Sequence, residues 1–278
     1  MGKTVEHCWN PHVLASSPLF EPLHTFHTVL HKFQRWPEID DYQQLLQATN
    51  TTILSGGGQP ITFVPQGEKP RFFEEHYEPR IYLTGEVQTR TKNWHDFFQV
   101  LVWCIFPETK KILNKRHYLQ VLQRQQASPS QTNRSPLENT MTLFDECGAI
   151  ILSSDDHLLN MIRDHQWKTL FWENRNRLHQ ELHCLIFGHA IYEKAISPYI
   201  GMTAQALLVS VPQAQSLLPS TQRLAAADQL IAKQLDVGGN ITHTKQLNPF
   251  PVLGMPGWKN ENNNENFYEN RSYFRPKR

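Results

Sequence analysis

The chain has 278 residues, of which 39% are apolar and 19% are charged, and its formal net charge is +1. This size allows one large core or two smaller ones, and the charge balance gives no electrostatic argument for a nucleic-acid or membrane-surface partner. The start "MGKTVEHCWNPH" has no apolar signal segment, no apolar run reaches membrane-spanning length, and the four cysteines show no CxxC spacing. We therefore expect a cytoplasmic protein.

The first sixty residues are predicted to be mainly helical. Two helices over 10–50 are divided near "RWPEIDD", where Pro37 can occupy the first turn of the second helix. "LSGGGQPITFVPQ" then predicts a turn and a short strand over 61–64. We interpret the glycine run as a turn, because phosphate-binding loops lead into a helix.

A second strand and two consecutive helices are predicted next. In "YEPRIYLTGEVQTR" the apolar alternation from Ile81 to Val87 predicts a strand with a turn or bulge at Gly85. An apolar helix follows over 93–106, and Pro107 begins another helix.

The second half combines strands and helices. "MTLFDECGAIILSS" predicts two short strands around a tight turn that contains Asp145, Glu146 and Gly148. Helices are predicted over 155–196, "SPYIGMTAQALLVSV" gives a further helix or strand, and "STQRLAAADQLIAKQL" is a clean amphipathic helix.

These elements predict an α+β, helix-dominated single domain with a small sheet or hairpins and an irregular C-terminal arm. Within the domain 1–278 we distinguish N-terminal helices (1–60), a core that carries the motifs (61–247) and an extended arm (248–278).

An ionisable pair opens the apolar helix over 93–106, with Asn93 as a plausible N-cap. Asp96 has an ordinary structural explanation, since the helix dipole stabilises a carboxylate at this end. A buried His95 must lose its charge or find a partner, and either outcome suits a metal ligand or a general base. A hydrogen-bonded core histidine is the alternative.

Two further segments hold candidate groups. Asp145 and Glu146 in "TLFDECG" resemble strand-end carboxylates that bind divalent cations, or a solvated acidic turn. His189 and Glu193 in "FGHAIYEK" stand four residues apart on one helical face, where they can share a metal ion or a hydrogen bond. An ordinary surface contact is the alternative for this pair.

The segment "HQELH" places His179 and His183 four apart, but the zinc-protease motif HExxH needs glutamate where this chain has Gln180. We interpret the two histidines as a surface pair. No GxSxG, GxGxxG or GxxxxGK[ST] sequence occurs, which argues against an α/β-hydrolase, a dinucleotide enzyme and a P-loop NTPase.

Several segments in one order resemble a family of bacterial proteins known only as a domain of unknown function. They are "GEVQTRTKNWHDFFQVLVWCIFPETKKILN", "TLFDECG", "FGHAIYEK" and "FPVLGMPGW" followed by "FYENRSYFRP". The corresponding family motifs are TRxxNWHDxF, FPxxKxxLN, TLFDExG, FGHAxxE and PGW…FRP, and the resemblance covers roughly 61–276. It implies no reaction, because the family carries no established activity.

The resemblance marks which polar residues belong to the shared pattern. They are Thr89, Arg90, Asn93, His95, Asp96, Lys110, Asn114, Asp145, Glu146, His189 and Glu193. Gln99 departs from the asparagine of the family pattern. The shared tail also implies an ordered arm over 259–278, for which composition alone would predict disorder. Its aromatic anchors are Trp258, Phe267, Tyr268 and Phe274.

Polar residues in apolar surroundings are unfavourable unless each is paired, so we expect them to converge on one site. We hypothesise a metal-dependent hydrolase that acts on a phosphoester or another anionic substrate. The candidate ligands of the divalent metal ion are His95, Asp96, His189 and Glu193. Glu146 or Asp145 would be the general base on a metal-bound water, and Arg90 and Lys110 would steady the substrate.

Two alternatives remain open. The first is a non-enzymatic binding or interaction protein in which the same polar groups form a structural network. The second is a nucleic-acid enzyme or binder, against which the near-neutral charge weighs. A cluster of Arg71, Arg80, Arg90 and Lys92 beside the histidines would favour the second alternative.

Overall fold

The computed structural model describes residues 8–49, 51–127, 133–236 and 241–277. The helices are α1 (His27–Leu30), α2 (Ile39–Gln47), α3 (Tyr77–Thr84), α4 (Trp94–Ile105), α5 (Pro107–Ala127), α6 (Pro136–Cys147), α7 (Asp156–Arg163), α8 (Arg175–Glu181), α9 (His189–Ala195), α10 (Gln213–Ser216) and α11 (Ser220–Leu235). The strands are β1 (Thr62–Pro65), β2 (Glu86–Thr89), β3 (Gly148–Ser153), β4 (Leu182–Ile186), β5 (Thr203–Ser210) and β6 (Asn248–Pro251). The predicted helix-dominated α+β class is confirmed.

A four-stranded sheet of order β4-β3-β5-β6 forms the centre of the second half. β3 runs parallel to β5 and antiparallel to β4, while β6 pairs antiparallel with β5. All six residues of β3 are buried, as expected for an apolar strand between two neighbours. The edge strand β6 contains Pro249 and Pro251, and edge positions tolerate the missing donors. A separate parallel pair joins β1 to β2.

The predicted strand around 81–84 is wrong, because Tyr77–Thr84 forms α3. The helix ends at Thr84, and its C-cap is Gly85, whose φ of +76° is the left-handed conformation that is common at helix C-termini and that glycine adopts readily. β2 begins directly afterwards. Gly85 is therefore the C-cap of α3 and not an interruption within a strand.

The predicted hairpin around Asp145 is also wrong, because Pro136–Cys147 forms α6 and β3 begins at Gly148. Ser135 and Glu138 form a capping box at the start of α6, and Pro136 occupies the first turn. These signals are present in "SPLE" and outweigh the short strand-like pattern. A further correction concerns 155–196, where β4 interrupts the predicted helices.

The helix α4 is buried on almost all sides, as its composition predicts. Asn93 is the N-cap and accepts a hydrogen bond from the backbone N–H of Asp96. The N-terminal segment, mostly 3₁₀ helix where a longer helix was predicted, covers α4 with Phe20, which stacks on Phe98 and Tyr192. These contacts fix α4 against α9 and so determine where His95 lies.

The C-terminal arm is ordered and consists of β6 and short 3₁₀ turns. Tyr268, Tyr273 and Phe274 are buried, whereas Trp258 and Phe267 are half-buried against the same core. The Tyr273 hydroxyl donates a hydrogen bond to the Met202 carbonyl at 2.8 Å. Residues 128–132 of the predicted loop over 127–136 lie outside the described residues.

Candidate functional site

A cleft of about 830 Å³ opens between α3, α4, α5, α6, α9 and β2. Six of the eight predicted site residues line it: Arg90, His95, Asp96, Asp145, Glu146 and His189. Glu193 contacts His95, and Lys110 contacts Asp145 from a small internal cavity beside the cleft. Residues from both halves of the chain therefore converge on one concave site.

Two imidazole rings meet at the floor of the cleft. His95 belongs to the first turn of α4 and His189 begins α9, and their Nε2 atoms are 2.9 Å apart. Glu193, one turn after His189, places Oε2 3.0 Å from Nδ1 of His95. A carboxylate and two imidazoles thus form a continuous line of hydrogen-bonding atoms.

The two rings have different environments, and these shift their pKa values in opposite directions. The hydrogen bond to Glu193 raises the pKa of His95 above its ordinary value. Burial lowers the pKa of His189, which is 2% exposed, to about 4. We therefore assign the extra proton of the pair to His95: below its raised pKa, this ring donates from Nδ1 to Glu193 and from Nε2 to a neutral His189.

This assignment leaves a buried donor on His189. Its Nδ1 has no hydrogen-bond partner and lies 3.9 Å from Oδ2 of Asp145, which is too long for a hydrogen bond. The other oxygen of Asp145 accepts a hydrogen bond of 2.6 Å from Lys110. Burial is the largest single influence and disfavours the Asp145 anion, but the charge and hydrogen bond of Lys110, together with the neighbouring His189 and His117, outweigh it and hold the pKa of Asp145 below its ordinary value.

Asp96 has a structural environment. Arg90 donates to it from the backbone N–H, from Nε and from Nη2, at 2.7, 3.0 and 2.7 Å. These bonds join the end of β2 to the start of α4. Both carboxylate oxygens are therefore engaged by one arginine, and most of that arginine's charge is already neutralised.

Asn114, another residue of the family pattern, also holds elements together. Its side chain accepts from the Gly56 N–H and donates to the backbone and carboxylate oxygens of Glu78. Asn114 therefore holds the glycine turn of "LSGGGQ" against α3 and α5, and the Gly56 N–H of this turn is hydrogen-bonded to a protein side chain.

Sequence reasoning missed His117 and the pair Arg124–Glu138, which also line the cleft. Lys110, His117 and Arg124 recur every seven residues on α5, while Glu138 and Asp145 have the same spacing on α6. The two helices pack antiparallel, so Lys110 pairs with Asp145, and Arg124 pairs with Glu138 at 3.1 Å. This seven-residue spacing is the signal in the sequence from which these residues could have been found.

The remaining candidates lie elsewhere. His179 is exposed, and His183 is hydrogen-bonded to Ser216 outside the cleft. Two of the basic residues that would favour nucleic acid are paired with carboxylates, since Arg71 pairs with Glu68 and Arg80 with Glu86.

Within the described ranges, no group of three or more His, Cys, Asp or Glu side chains is arranged to hold a metal ion. Nor does any helix in this part of the chain combine the length and apolar composition needed to cross a bilayer.

The family model described as protein of unknown function, DUF3025, matches residues 61–278. The chain belongs to this family. No curated protein and no solved structure matches the chain.

Proposed function

We propose that the chain is a hydrolase that acts on a phosphoester or another anionic substrate at the His95–His189 pair, assisted by a divalent metal ion. One observation carries the proposal. The Nε2 atoms of the two rings lie 2.9 Å apart beside a large cleft that both residues line, and a carboxylate stands on the Nδ1 side of each ring. A carboxylate behind each imidazole is the usual outer shell of a metal-binding histidine.

The geometry requires only a small adjustment to admit a metal ion. Two histidine nitrogens bound tetrahedrally to zinc at about 2.0–2.1 Å lie about 3.3 Å apart, compared with 2.9 Å between the Nε2 atoms here. Separating the rings by a few tenths of an ångström would also move His189 relative to Asp145. The Nδ1 of His189 has no hydrogen-bond partner, and the Asp145 carboxylate would then serve as one. Glu193 and Asp145 then act as outer-shell partners of the ligands.

The remaining roles follow from which groups are already engaged. Asp145 is held by Lys110, so the general base on an activated water is Glu146, which lines the cleft and has no ion pair within the described residues. Arg90 keeps about half of its side chain exposed and can contact an anion, whereas Lys110 is buried and serves Asp145. The metal ion would supply Lewis-acid activation of water.

A cytoplasmic location belongs to the same proposal. All four cysteines are free, which suits a reducing compartment. Burial raises the pKa of the Cys104 thiol to about 12, so this thiol is no nucleophile at neutral pH.

The test is metal uptake and turnover by the purified full-length chain. Equilibrium dialysis against Zn²⁺, Mn²⁺ and Mg²⁺ should give one bound ion, and the loaded protein should hydrolyse 4-nitrophenyl phosphate or bis(4-nitrophenyl) phosphate. His95→Ala and His189→Ala should lose both properties, whereas His179→Ala, an exposed histidine outside the cleft, should keep them. Wild-type protein that takes up none of the three ions contradicts the metal-assisted reaction.

The ion pairs favour a second candidate, a binding protein without chemistry. Arg90 and Lys110 are already neutralised by Asp96 and Asp145, as in a structural network. Such a network predicts a large stability loss for His189→Ala, because the substitution removes a buried ring and leaves His95 without its hydrogen-bond partner. A catalytic pair predicts little loss, or even a gain, in the free energy of unfolding.

A further inference from the structure

Three histidines lie in contact on the N-terminal segment, outside the cleft. Nδ1 of His12 is 3.0 Å from Nε2 of His31, so one of these rings donates a hydrogen bond to the other. The ring centroid of His31 is also 4.0 Å from that of His27, the first residue of α1, and 4.3 Å from that of His12. His31 is therefore the central member of this histidine cluster.

No carboxylate balances the charge of protons added to the histidine cluster. The histidine–carboxylate contacts within the described residues are those of His95 and His189, which lie in the cleft. Among the basic neighbours, Lys32 is exposed, Arg35 pairs with a carboxylate of α2, and His24 is bonded to a backbone carbonyl. The charges that act on the central ring therefore come from the other two histidines of the cluster.

The hydrogen bond within the cluster depends on protonation. At least one of His12 and His31 must be neutral to accept it, because two protonated rings would present N–H groups and like charges to each other. Partial burial, followed by the charges of His27 and His12, lowers the pKa of His31 below its ordinary value. A ring with a lowered pKa stays neutral near pH 7 and becomes protonated in acid, so the bond is retained at neutral pH and lost as pH falls.

The histidine cluster holds a segment that also contacts α4. We call residues 8–12 the N-terminal strap. Its Trp9 ring stacks on Trp94, with ring centroids 5.2 Å apart and an angle of 17° between the planes, and its indole N–H donates to a backbone carbonyl at 2.7 Å. Trp94 is the first residue of α4 and directly precedes His95. The strap is thus attached at two points, through Trp9 and through His12.

We propose that the N-terminal strap is an acid-sensitive latch: at neutral pH the hydrogen bond between His12 and His31 keeps Trp9 against Trp94, and protonation of both imidazoles releases the strap from the start of α4. The latch requires neither a metal ion nor a reaction at the histidine pair of the cleft.

Hydrogen exchange of the Trp9 indole N–H in the full-length chain measures how often the strap opens. It is followed by ¹H–¹⁵N NMR in buffer that contains EDTA, and Trp9→Phe identifies the resonance. The protection factor, which corrects for the intrinsic exchange rate at each pH, should be about two- to tenfold lower at about pH 5 than at about pH 7.5. This ratio corresponds to the net contribution of one hydrogen bond.

Three variants assign the effect to the histidine cluster. His31→Gln keeps a hydrogen-bonding group that does not titrate in this range, so it should abolish the difference between the two pH values. His12→Ala removes the bond, so protection of Trp9 should be as low at neutral pH as in acid. His157→Gln is the matched control, because His157 is an exposed histidine on α7, and it should keep the wild-type pH dependence.

Two results would overturn the latch. One is wild-type protection of Trp9 that is equal at the two pH values, and the other is a wild-type pH dependence that persists in His31→Gln. The function proposed for the cleft is tested separately, by metal uptake and turnover. A chain that binds no metal ion but shows the expected exchange behaviour would therefore contradict that function and support the latch.

Discussion

Replacing Lys110 with methionine should destabilise the protein severely. The Lys110 ammonium lies 2.6 Å from Oδ1 of Asp145, and the two side chains are only 5% and 15% exposed. Methionine keeps a long apolar side chain against the Trp103 ring, which the ammonium faces at 5.0 Å, but it leaves a buried carboxylate without its cation. Breaking a buried pair in this way costs about 3–5 kcal/mol, a large part of the roughly 5–15 kcal/mol that stabilises a typical domain.

Urea denaturation of the full-length chain measures the loss, and the next residue provides the control. Lys111 forms a longer pair of 3.8 Å with Glu108, and these side chains are 35% and 51% exposed. Lys111→Met should therefore change the free energy of unfolding by about 1 kcal/mol or less. The double variant Lys110→Met/Asp145→Leu should recover most of the loss, because no buried charge remains.

Two results would refute this reasoning. One is an equal effect of Lys110→Met and Lys111→Met. The other is a double variant whose loss equals the sum of the single losses, which would mean that Lys110 and Asp145 are not coupled. Either result would remove the argument that Lys110 keeps Asp145 ionised beside His189.

Three other measurements check different parts of the structure. Unfolding free energy should fall as pH decreases from 6.5 to about 4, because the unfolded chain protonates His189 and His183 first while burial keeps both neutral in the folded chain. His189→Gln should make this part of the profile less steep, and an unchanged slope would contradict the contribution of His189. Gly85→Ala should be far more destabilising than Gly58→Ala in thermal denaturation: both have positive φ, but a Cβ at Gly85 would lie 2.0 Å from the Pro60 carbonyl oxygen, whereas Gly58 faces open space. Tyr273→Phe should cost about 1–3 kcal/mol in urea denaturation, because two buried backbone groups lose their shared partner; a loss below about 0.5 kcal/mol would argue against the docked arm.

Local signals in the sequence predicted some elements well. Asn93 and the apolar run after it predicted α4, and the amphipathic spacing predicted α11. The errors arose where short apolar runs are compatible with two periods. For α3 and α6 the decisive information was at the ends, in the C-cap Gly85 and in the capping box of Ser135 and Glu138.

The individual residues of the candidate site were easier to predict than the contacts between them. The contact between His95 and His189 joins residues 94 positions apart, and no periodicity encodes such a distance. The identity of its partners depends on packing. Only the folded chain reveals that Glu193 contacts His95 instead of standing beside His189, and that His117 lies between two ion pairs. The predicted roles of these residues, and the division of the chain into three parts, stay predictions.

The proton shared by the histidine pair gives opposite pH dependences to the two kinds of ligand that this site could bind. Because Glu193 raises the pKa of His95, the histidine pair carries one extra proton, and so one positive charge, at pH values below the raised pKa. A metal ion at the two Nε2 atoms must displace that proton, so metal affinity should increase as pH rises through this pKa. An anion at the same place is attracted by the charged His95, so its affinity should decrease over the same interval. The sign of the pH dependence therefore distinguishes metal binding from direct anion binding at this pair.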